Sequence, residues 1–325
     1  MKNENIQYEP ISGREFPRFS AIKTFFRLPH VARDADYDVG LVGVPYDGGV
    51  SYRSGARFAP SHVRQATSLG RGYNWARGEH LWTKLRFADI GDCPTVPVDQ
   101  KMTYARIEKF FGELMKLDKR FIAVGGDHST TLPILRALHK KYGALSIVHF
   151  DAHLDTFPAA WDCEYHHGTF MRHALEEKLV DPKYVLQIGL RGPLVGGDDL
   201  AVSRKYKIRS TTIDDVRVEG LEKFIDRLPK FDDAKCPPTY ITFDIDCLDP
   251  AYAPGTGTPV PGGLTTYETQ RILRALKIRR LVGADIVEVS PPYDHADITA
   301  LAAMDTMFEL MGLMVESSAP PRARR

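Results

Sequence analysis

Short apolar segments alternate with amphipathic segments along most of the chain. Eight apolar segments have the length and side-chain content of β-strands, and they lie at residues 37–44, 85–89, 120–124, 145–150, 184–189, 208–212, 240–243 and 281–287. Helical spacing predicts helices between several of them, at residues 103–117, 131–142, 169–179, 221–228 and 265–276. This alternation is typical of βαβ units, so we predict an α/β fold with a mostly parallel eight-stranded sheet covered by helices on both faces.

The two ends of the chain carry different patterns. Residues 1–36 mix aromatic and charged residues without a sustained period, so we expect an N-terminal arm on the surface or on a neighbouring subunit. Residues 37–316 contain nothing like a long linker and are predicted to form a single domain, which ends in a helix from residue 298 to about 315. Residues 317–325 hold two prolines and three arginines and are expected to be a disordered tail.

Composition narrows the classes of function. Among the 325 residues, 43 lysines and arginines balance 42 aspartates and glutamates, so bulk charge predicts neither nucleic acid nor a membrane surface as a partner. The chain starts without an apolar leader, and we expect a cytoplasmic protein. Its four cysteines are far apart and form no CxxC pair, which favours free thiols in a reducing compartment.

Metal-ligand side chains follow three of the predicted strands. The strand at 120–124 is followed by Gly-Gly-Asp-His at 125–128, the strand at 145–150 by Asp-Ala-His-Leu-Asp at 151–155, and the strand at 240–243 by Asp-Ile-Asp at 244–246. Alternate residues of an extended chain lie on one side, so Asp151, His153 and Asp155 are expected to share a face. The carboxyl ends of parallel strands meet at one edge of a sheet, so all three segments should converge there.

Charge then indicates what the edge binds. Asp151, Asp155, Asp244 and Asp246 would place about four negative charges in a partly buried site, which is costly without compensation. Two divalent cations would neutralise them. An oxygen-rich ligand set with a minority of imidazole and no thiolate suits Mn²⁺ or a similar ion better than structural zinc, and a metal pair that activates water is typical of a hydrolase.

Other polar residues near the expected edge are less specific. His166 and His167 lie a short loop beyond Asp155, and spacing alone leaves open whether either is a proton shuttle. Glu288 follows the strand at 281–287 and could hold a cationic substrate through a bidentate pair. His149 lies inside an apolar strand, so we interpret it as a hydrogen-bonded core histidine. The glycine-rich loop at 47–57 lacks phosphate-binding spacing and is interpreted as structural.

Three of these segments together resemble a known family. Gly-Asp-His-Ser at 126–129, Asp-Ala-His-Leu-Asp at 151–155 and Phe-Asp-Ile-Asp-Cys-Leu-Asp-Pro at 243–250 look like the three signatures of the ureohydrolase (arginase/agmatinase) superfamily. The resemblance runs from about residue 37 to the C-terminal helix. It implies a three-layer αβα domain around an eight-stranded parallel sheet, and a trimer or hexamer, with a mixed oligomer that includes a paralogue as an alternative.

The resemblance also implies roles for individual residues. One Mn²⁺ would be held by His128, Asp151, Asp155 and Asp244, and the other by His153 and Asp246 with Asp151 and Asp244 as bridges; some family members use Ni²⁺ instead. His167 would be the proton shuttle, with His166 its less favoured neighbour, and Glu288 would bind the substrate guanidinium. Water activated by the metal pair would attack the guanidinium carbon, Asp155 would help stabilise the tetrahedral intermediate, and urea and an amine would result.

The substrate is less closely defined. Residues 253–265 and 293–303 are similar to the agmatinase branch, while residues 192–195 lack the acidic residue that in arginases holds an α-amino group. The loop at 157–164, where a substrate tail should lie, departs from agmatinases. This leaves 4-guanidinobutyrate, 3-guanidinopropionate, guanidine and alkylated guanidines as alternatives to agmatine, and a weakly catalytic scaffold subunit as a different class of function.

Overall fold

A computed structural model describes residues 8–317 of the chain. Eight strands form one sheet in which every neighbouring pair is parallel, as predicted, and their order across the sheet is β4-β1-β5-β10-β9-β6-β7-β8. Their bounds are β1 Val39–Gly43, β4 Phe87–Asp92, β5 Arg120–Val124, β6 Leu145–Phe150, β7 Val180–Leu190, β8 Arg209–Thr212, β9 Thr239–Asp244 and β10 Leu281–Val287. A small antiparallel hairpin, β2 Tyr73–Asn74 and β3 Glu79–His80, lies apart from the sheet and was not predicted.

Helices connect the strands. They are α1 Ala59–Ala66, α2 Gln100–Lys116, α3 Thr131–Tyr142, α4 Phe170–Glu176, α5 Ala201–Tyr206, α6 Ile213–Arg217, α7 Leu221–Asp226, α8 Thr266–Ala275 and α9 Ile298–Glu316. The predicted helices correspond to α2, α3, α4, α7, α8 and α9. The other three, α1, α5 and α6, were not predicted.

The sheet separates two hydrophobic cores, which is what makes the domain three-layered. Adjacent strand residues go to opposite sides: Leu41 and Ile122 belong to one core, whereas Val42 and Ala123 belong to the other. Both faces are apolar, as expected for a parallel sheet covered by helices on each side. The predicted αβα arrangement is therefore confirmed.

The N-terminal segment differs from the expected surface arm. Phe25, Phe26 and Leu28 are buried in one of the two cores, and the Phe25 amide donates to Asp89 Oδ2 at 2.9 Å. Phe19, a few residues earlier, is 86% exposed. The domain core thus begins well before residue 37. The sequence there has no regular apolar period, but its two large aromatic rings are buried and contribute much apolar surface to the core. Residues 1–7 of the expected arm and 318–325 of the expected tail lie outside the described residues.

The last helix, α9, is long and apolar enough to cross a membrane by length and composition, with 67% of its apolar window buried inside the protein. Met307, Leu310, Met311 and Met314 lie in the core, which agrees with the predicted packing role of the methionine-rich stripe. Glu309 is also buried, and Arg274 of α8 donates to it at 2.6 Å. Because most of the apolar window of α9 is packed inside the protein, we interpret α9 as a core helix.

Replacing Phe26 with alanine tests the revised boundary. Phe26 packs on Trp82 and Phe308 with ring centroids 5.8 and 6.2 Å away, so Phe26→Ala should lower the free energy of unfolding by about 3–5 kcal/mol. The control Val98→Ala shortens a side chain that is 92% exposed and should change stability by less than about 0.5 kcal/mol. Chemical denaturation measures both, and equal small effects would show that the segment is a surface arm after all.

Candidate functional site

The three strand ends that carry the candidate ligands close with the same local device. In each, one oxygen of an aspartate accepts the amide N–H two residues further on: Asp127 from Ser129 at 2.9 Å, Asp151 from His153 at 2.6 Å, and Asp244 from Asp246 at 2.8 Å. Such a bond mimics a backbone turn. At Asp151 and Asp244 it coincides with the end of the strand, whereas Asp127 lies three residues beyond the end of β5. For Asp151 and Asp244 it also leaves the second carboxylate oxygen free to face the site.

Asp151, His153 and Asp155 gather at the site as predicted, but the predicted reason, an extended chain with alternate residues on one side, is wrong. Strand β6 ends at Phe150, and the turn at Asp151 stops the extended alternation that would place every second residue on one side. Asp155 reaches the site because its backbone is left-handed, with φ of 52°. A non-glycine residue in this region is uncommon and is kept when the surroundings require it.

The first group of ligand atoms surrounds the imidazole of His128. Its Nδ1 lies 3.1 Å from Asp151 Oδ2, 3.0 Å from Asp155 Oδ2 and 3.1 Å from Asp244 Oδ2. Its Nε2 lies 2.8 Å from the hydroxyl of Thr242, which fixes the proton on Nε2 when Nδ1 is used as a ligand. The ring also stacks on Phe170 at 4.2 Å. These four ligand atoms are the predicted set for one metal ion.

The second group surrounds His153. Its Nδ1 lies 3.1 Å from Asp246 Oδ2 and 3.4 Å from Asp151 Oδ1. Asp151 thus faces both groups, one oxygen to each, as a bridging ligand must. Asp246 is held by the Ala152 amide at 3.1 Å and by Thr258 at 3.3 Å. The structure therefore brings together the six predicted metal residues, His128, Asp151, His153, Asp155, Asp244 and Asp246, which we call the Asp/His cluster.

Charge in the Asp/His cluster is strongly coupled. Burial lowers the pKa of His153, but the carboxylates of Asp246 and Asp151 outweigh this and raise it to about 12. Burial raises the pKa of Asp244 well above its ordinary value, and the charges of Asp246 and Asp151 add to the effect. Cys247 stays a thiol because burial raises its pKa well above the ordinary value. Crowded buried carboxylates, two imidazoles and no thiolate fit a pair of divalent cations.

His167 lies beside the Asp/His cluster, buried, between two partners. Its Nδ1 lies 3.0 Å from Glu288 Oε1, and its Nε2 lies 2.7 Å from the hydroxyl of Ser51. Burial opposes a charge on His167, but the Glu288 carboxylate raises its pKa to about 9. The Ser51 amide also donates to Nε2 at 3.3 Å, so Nε2 accepts in this arrangement, and the raised pKa makes it a nitrogen that can take up and release a proton.

His166 has a different role. Its Nδ1 accepts the Gly168 amide at 3.2 Å, and its Nε2 donates to the carbonyl of Pro158 at 3.1 Å. Burial lowers its pKa, so the ring is neutral and caps the short turn at His167–Thr169. Of the two histidines that spacing left open, His167 lies at the pocket wall with a raised pKa, which are the properties that a proton shuttle requires.

A pocket of about 320 Å³ opens onto the cluster. Its wall combines ligand residues with the loop at 157–161, and the lining residues are Ser51, His153, Asp155, Phe157, Pro158, Ala159, Ala160, Trp161, His166, His167, Gly168, Asp244 and Thr258. Glu288 is buried behind His167 and is not part of this wall. The loop where sequence analysis placed a substrate tail does form one side of the pocket.

Sequence reasoning missed several residues of this site. Ser51 lies in the loop at 47–57 that was interpreted as purely structural, yet its hydroxyl contacts His167 at the pocket wall. The available signal was its position after a strand, β1. Thr242 offered another signal, since it precedes Asp244 by two residues on the same strand. Thr258 lies far from any strand end, and nothing in its sequence context pointed to Asp246.

The fold and the cluster define a metal-binding α/β protein of the hydrolase type, and comparison with known proteins gives its family. The arginase family model matches residues 37–312, and the chain belongs to the arginase family, whose members depend on a binuclear metal centre. A guanidinopropionase from Pseudomonas aeruginosa is 43% identical over 98% of this chain and 99% of its own length. An agmatinase from Cronobacter sakazakii is 39% identical over 88% of this chain and 91% of its own.

Solved structures give the same result. Proclavaminate amidinohydrolase from Streptomyces clavuligerus superposes with a TM-score of 0.86 at 40% identity, covering 93% of this chain and 100% of that one. The relatives are hydrolases of C–N bonds in linear amidines, and this chain is an enzyme of that class. The family expected from the three motifs is therefore confirmed.

Removing one bridging carboxylate tests the Asp/His cluster. Asp244→Ala should abolish metal occupancy, because the remaining ligands no longer neutralise and join two cations. Elemental analysis of the purified variant measures bound metal. The control is Asp226→Ala, which changes an exposed aspartate of α7 and should keep full metal content. Normal metal content in Asp244→Ala would contradict the assignment.

Proposed function

We propose that this protein hydrolyses a guanidino group to urea and an amine, with agmatine or a close analogue as substrate. The observation that carries the proposal is the arrangement, around one pocket, of the Asp/His cluster and of His167 with its partner Glu288. The cluster supplies sites for two cations, and His167 supplies a proton for a leaving amine. A binding protein would have no use for the second of these.

The metal ligands follow from the two groups described above. His128, Asp151, Asp155 and Asp244 would hold one ion, and His153, Asp246 and the bridging Asp151 would hold the other. The family resemblance adds Asp244 as a second bridge. Bound there, two divalent ions would supply Lewis acidity and a water nucleophile at neutral pH. Asp155 lines the pocket and would also face the positive charge of the reacting group.

His167 is built to move a proton from Nε2. Glu288 accepts from Nδ1 whether the ring is neutral or charged, so the ring keeps its orientation in both states. The Ser51 hydroxyl and amide both face Nε2, at 2.7 and 3.3 Å: the amide donates to the neutral ring, whereas the hydroxyl can donate to the neutral ring or accept from the charged one. Release of the Nε2 proton to a leaving amine therefore produces a neutral ring that Ser51 stabilises.

Glu288 is a buried carboxylate, and one of its two oxygens has no hydrogen-bond partner. Its Oε1 accepts both His167 Nδ1 and the His128 amide, at 3.0 and 2.9 Å, whereas its Oε2 has no hydrogen-bond partner. A buried carboxylate oxygen without a donor is costly, and a guanidinium N–H would satisfy it. Oε1 already accepts two bonds and Glu288 lies behind the pocket wall, so we propose a single bond between Oε2 and a guanidinium that reaches past His167, in place of the expected bidentate pair.

The pocket wall favours a cationic tail over a carboxylate tail. Within the described residues no lysine or arginine lines it, and His166, the nearest imidazole on the loop side, is neutral. A carboxylate would lack a charged partner, whereas an ammonium group could lie on the ring of Trp161, which is 73% exposed. Agmatine carries such an ammonium group. The guanidinopropionase among the relatives makes 3-guanidinopropionate the main alternative.

The proposal extends to the ion, the assembly and the location. The donor set is rich in carboxylate oxygens and supports Mn²⁺, with Ni²⁺ as the alternative. Phe19 and Ile22 are each 86% exposed in the single chain, the kind of apolar surface that subunit contacts cover. We propose a homotrimer or hexamer, with a mixed oligomer including a paralogue as the alternative, in the cytoplasm.

The pH dependence of turnover tests the role of His167. If protonated His167 is required, kcat should fall as pH rises through about 9, the pKa that Glu288 sustains. Glu288→Gln removes the charge that raises this pKa but keeps the burial that lowers it, so the fall should move to lower pH. His167→Asn should lower kcat by about 10²- to 10⁴-fold with metal content unchanged. An identical alkaline limb in wild type and Glu288→Gln would contradict this role.

A urea-release assay tests the function itself. The Mn²⁺-loaded and Ni²⁺-loaded proteins would be given agmatine, 4-guanidinobutyrate, 3-guanidinopropionate, guanidine and an alkylated guanidine. We expect urea from agmatine with the highest kcat/KM. A preference for a carboxylate-bearing compound would overturn the substrate, and no urea from any compound would favour the scaffold function instead. Asp244→Ala serves as the control for contaminating activity.

A further inference from the structure

A row of buried polar side chains crosses the sheet beneath the Asp/His cluster. His149 of β6 lies in register with Gln187 of β7 on one side and Thr242 of β9 on the other, and Ser210 of β8 lies in register with Gln187. Neighbours in register point to the same face of a sheet. His149, Gln187 and Thr242 are each 0% exposed, so their hydrogen bonds are made with protein partners.

The row forms a directed chain of hydrogen bonds. Ser210 donates to Gln187 Oε1 at 2.8 Å, and Gln187 Nε2 donates to the carbonyl of Leu154 at 2.9 Å. The same Nε2 lies 3.0 Å from His149 Nδ1. His149 Nε2 lies 2.7 Å from Asp151 Oδ2. Asp151 is the carboxylate that faces both groups of metal ligands.

The chain fixes where His149 carries its proton. The side-chain amide of Gln187 cannot be reversed, because Oε1 would then face the carbonyl oxygen of Leu154, and two acceptors repel. Gln187 Nε2 is therefore a donor to Nδ1 of His149. Since Nδ1 accepts, the neutral imidazole carries its proton on Nε2 and donates it to Asp151.

The position of this proton decides whether His149 is a metal ligand or a hydrogen-bond donor to Asp151. Its ring nitrogen lies close enough to His128, Asp151 and Asp155 to join a metal site by distance alone, with all ligand atoms within 4.8 Å of one another. A nitrogen that carries a proton is not a metal ligand, however. The edge of the His149 ring also meets Phe170, with centroids 5.1 Å apart at 79°, which limits rotation out of this orientation.

We propose that His149 is a positioning residue for the bridging carboxylate and that Gln187 sets its tautomer. The bond from Nε2 holds Asp151 so that Oδ2 faces His128 while Oδ1 faces His153. The inference rests on the proposed metal site but adds two residues that do not touch substrate or metal. Partners that orient ligands in this way typically contribute about 10- to 100-fold to metal affinity or activity.

Three variants and one control test the proposal. Mn²⁺ affinity is measured by chelator competition on the full-length protein without substrate. His149→Leu removes the donor and should weaken one of the two ions by about 10- to 100-fold. His149→Gln places an N–H near the position of Nε2 and should recover most of that loss. Gln187→Met removes the group that sets the tautomer and should weaken the same ion by a smaller factor.

The control is Tyr240→Phe. Tyr240 lies near the start of β9, and the change removes the buried hydrogen bond of 2.8 Å that its hydroxyl donates to Asp285 of β10. It should leave both affinities unchanged even if it lowers stability. Nitrogen-15 spectra of histidine-labelled protein add a direct readout: the signal of His149 should report a neutral ring protonated on Nε2 in the wild type, and that population should fall in Gln187→Met.

Two results would overturn the proposal. One is equal loss of affinity in His149→Gln and His149→Leu, which would make His149 a ligand. The other is wild-type affinity and an unchanged tautomer in Gln187→Met, a result that stays available if His149→Leu does not fold. Metal affinity that follows the expected order together with no urea release would support this inference while contradicting the proposed function.

Discussion

The structure depends on one electrostatic constraint, the burial of several carboxylates around a single imidazole nitrogen. The nearest oxygens of Asp151, Asp155 and Asp244 all lie about 3 Å from Nδ1 of His128, and each of these residues is nearly inaccessible. Like charges at such distances, removed from water, repel strongly. Divalent cations relieve this repulsion, and the same cations provide the chemistry of an arginase-family enzyme. The requirement for metal and the capacity for hydrolysis thus have one origin.

The sheet meets this constraint in two layers. At the rim, aspartate turns end β6 and β9 and use one oxygen of Asp151 and Asp244 for the backbone, which leaves the other oxygen for the site. One layer below, the row that includes Thr242 and His149 holds ring nitrogens and carboxylates in fixed orientations. Strands β6 and β9 carry both layers and thereby fix the relative positions of the ligand atoms.

Sequence information was sufficient for the eight strands of the main sheet and for the six residues of the Asp/His cluster. Strand ends are local features, and acidic pairs after buried strands mark the site without any knowledge of packing. The turn at Asp151 was not predicted, because an alternating pattern looks the same in a strand and in a turn closed by a side chain. Phe25 and Phe26 were assigned to a surface arm because their burial depends on Trp82 and α9, which are distant in the chain.

Residues that act through others were harder to predict. Gln187 is an unremarkable residue of a strand until the register places it beside His149. His149 was correctly interpreted as a hydrogen-bonded core residue, but its partner Asp151 gives that bond a consequence for the metal site. Ser51 was hidden in a glycine-rich loop for the same reason. Contacts between neighbouring strands and loops decide these roles, and no local pattern encodes them.

Anomalous X-ray scattering from a crystal of the Mn²⁺-loaded protein would show directly whether the Asp/His cluster holds two metal ions. We expect two peaks about 3.5–4 Å apart, one bound by His128 Nδ1 and the other by His153 Nδ1. Asp151 should lie between the two peaks, and His149 should bind neither. A single peak, or a peak coordinated by the Nε2 atom of His149, would contradict this expectation.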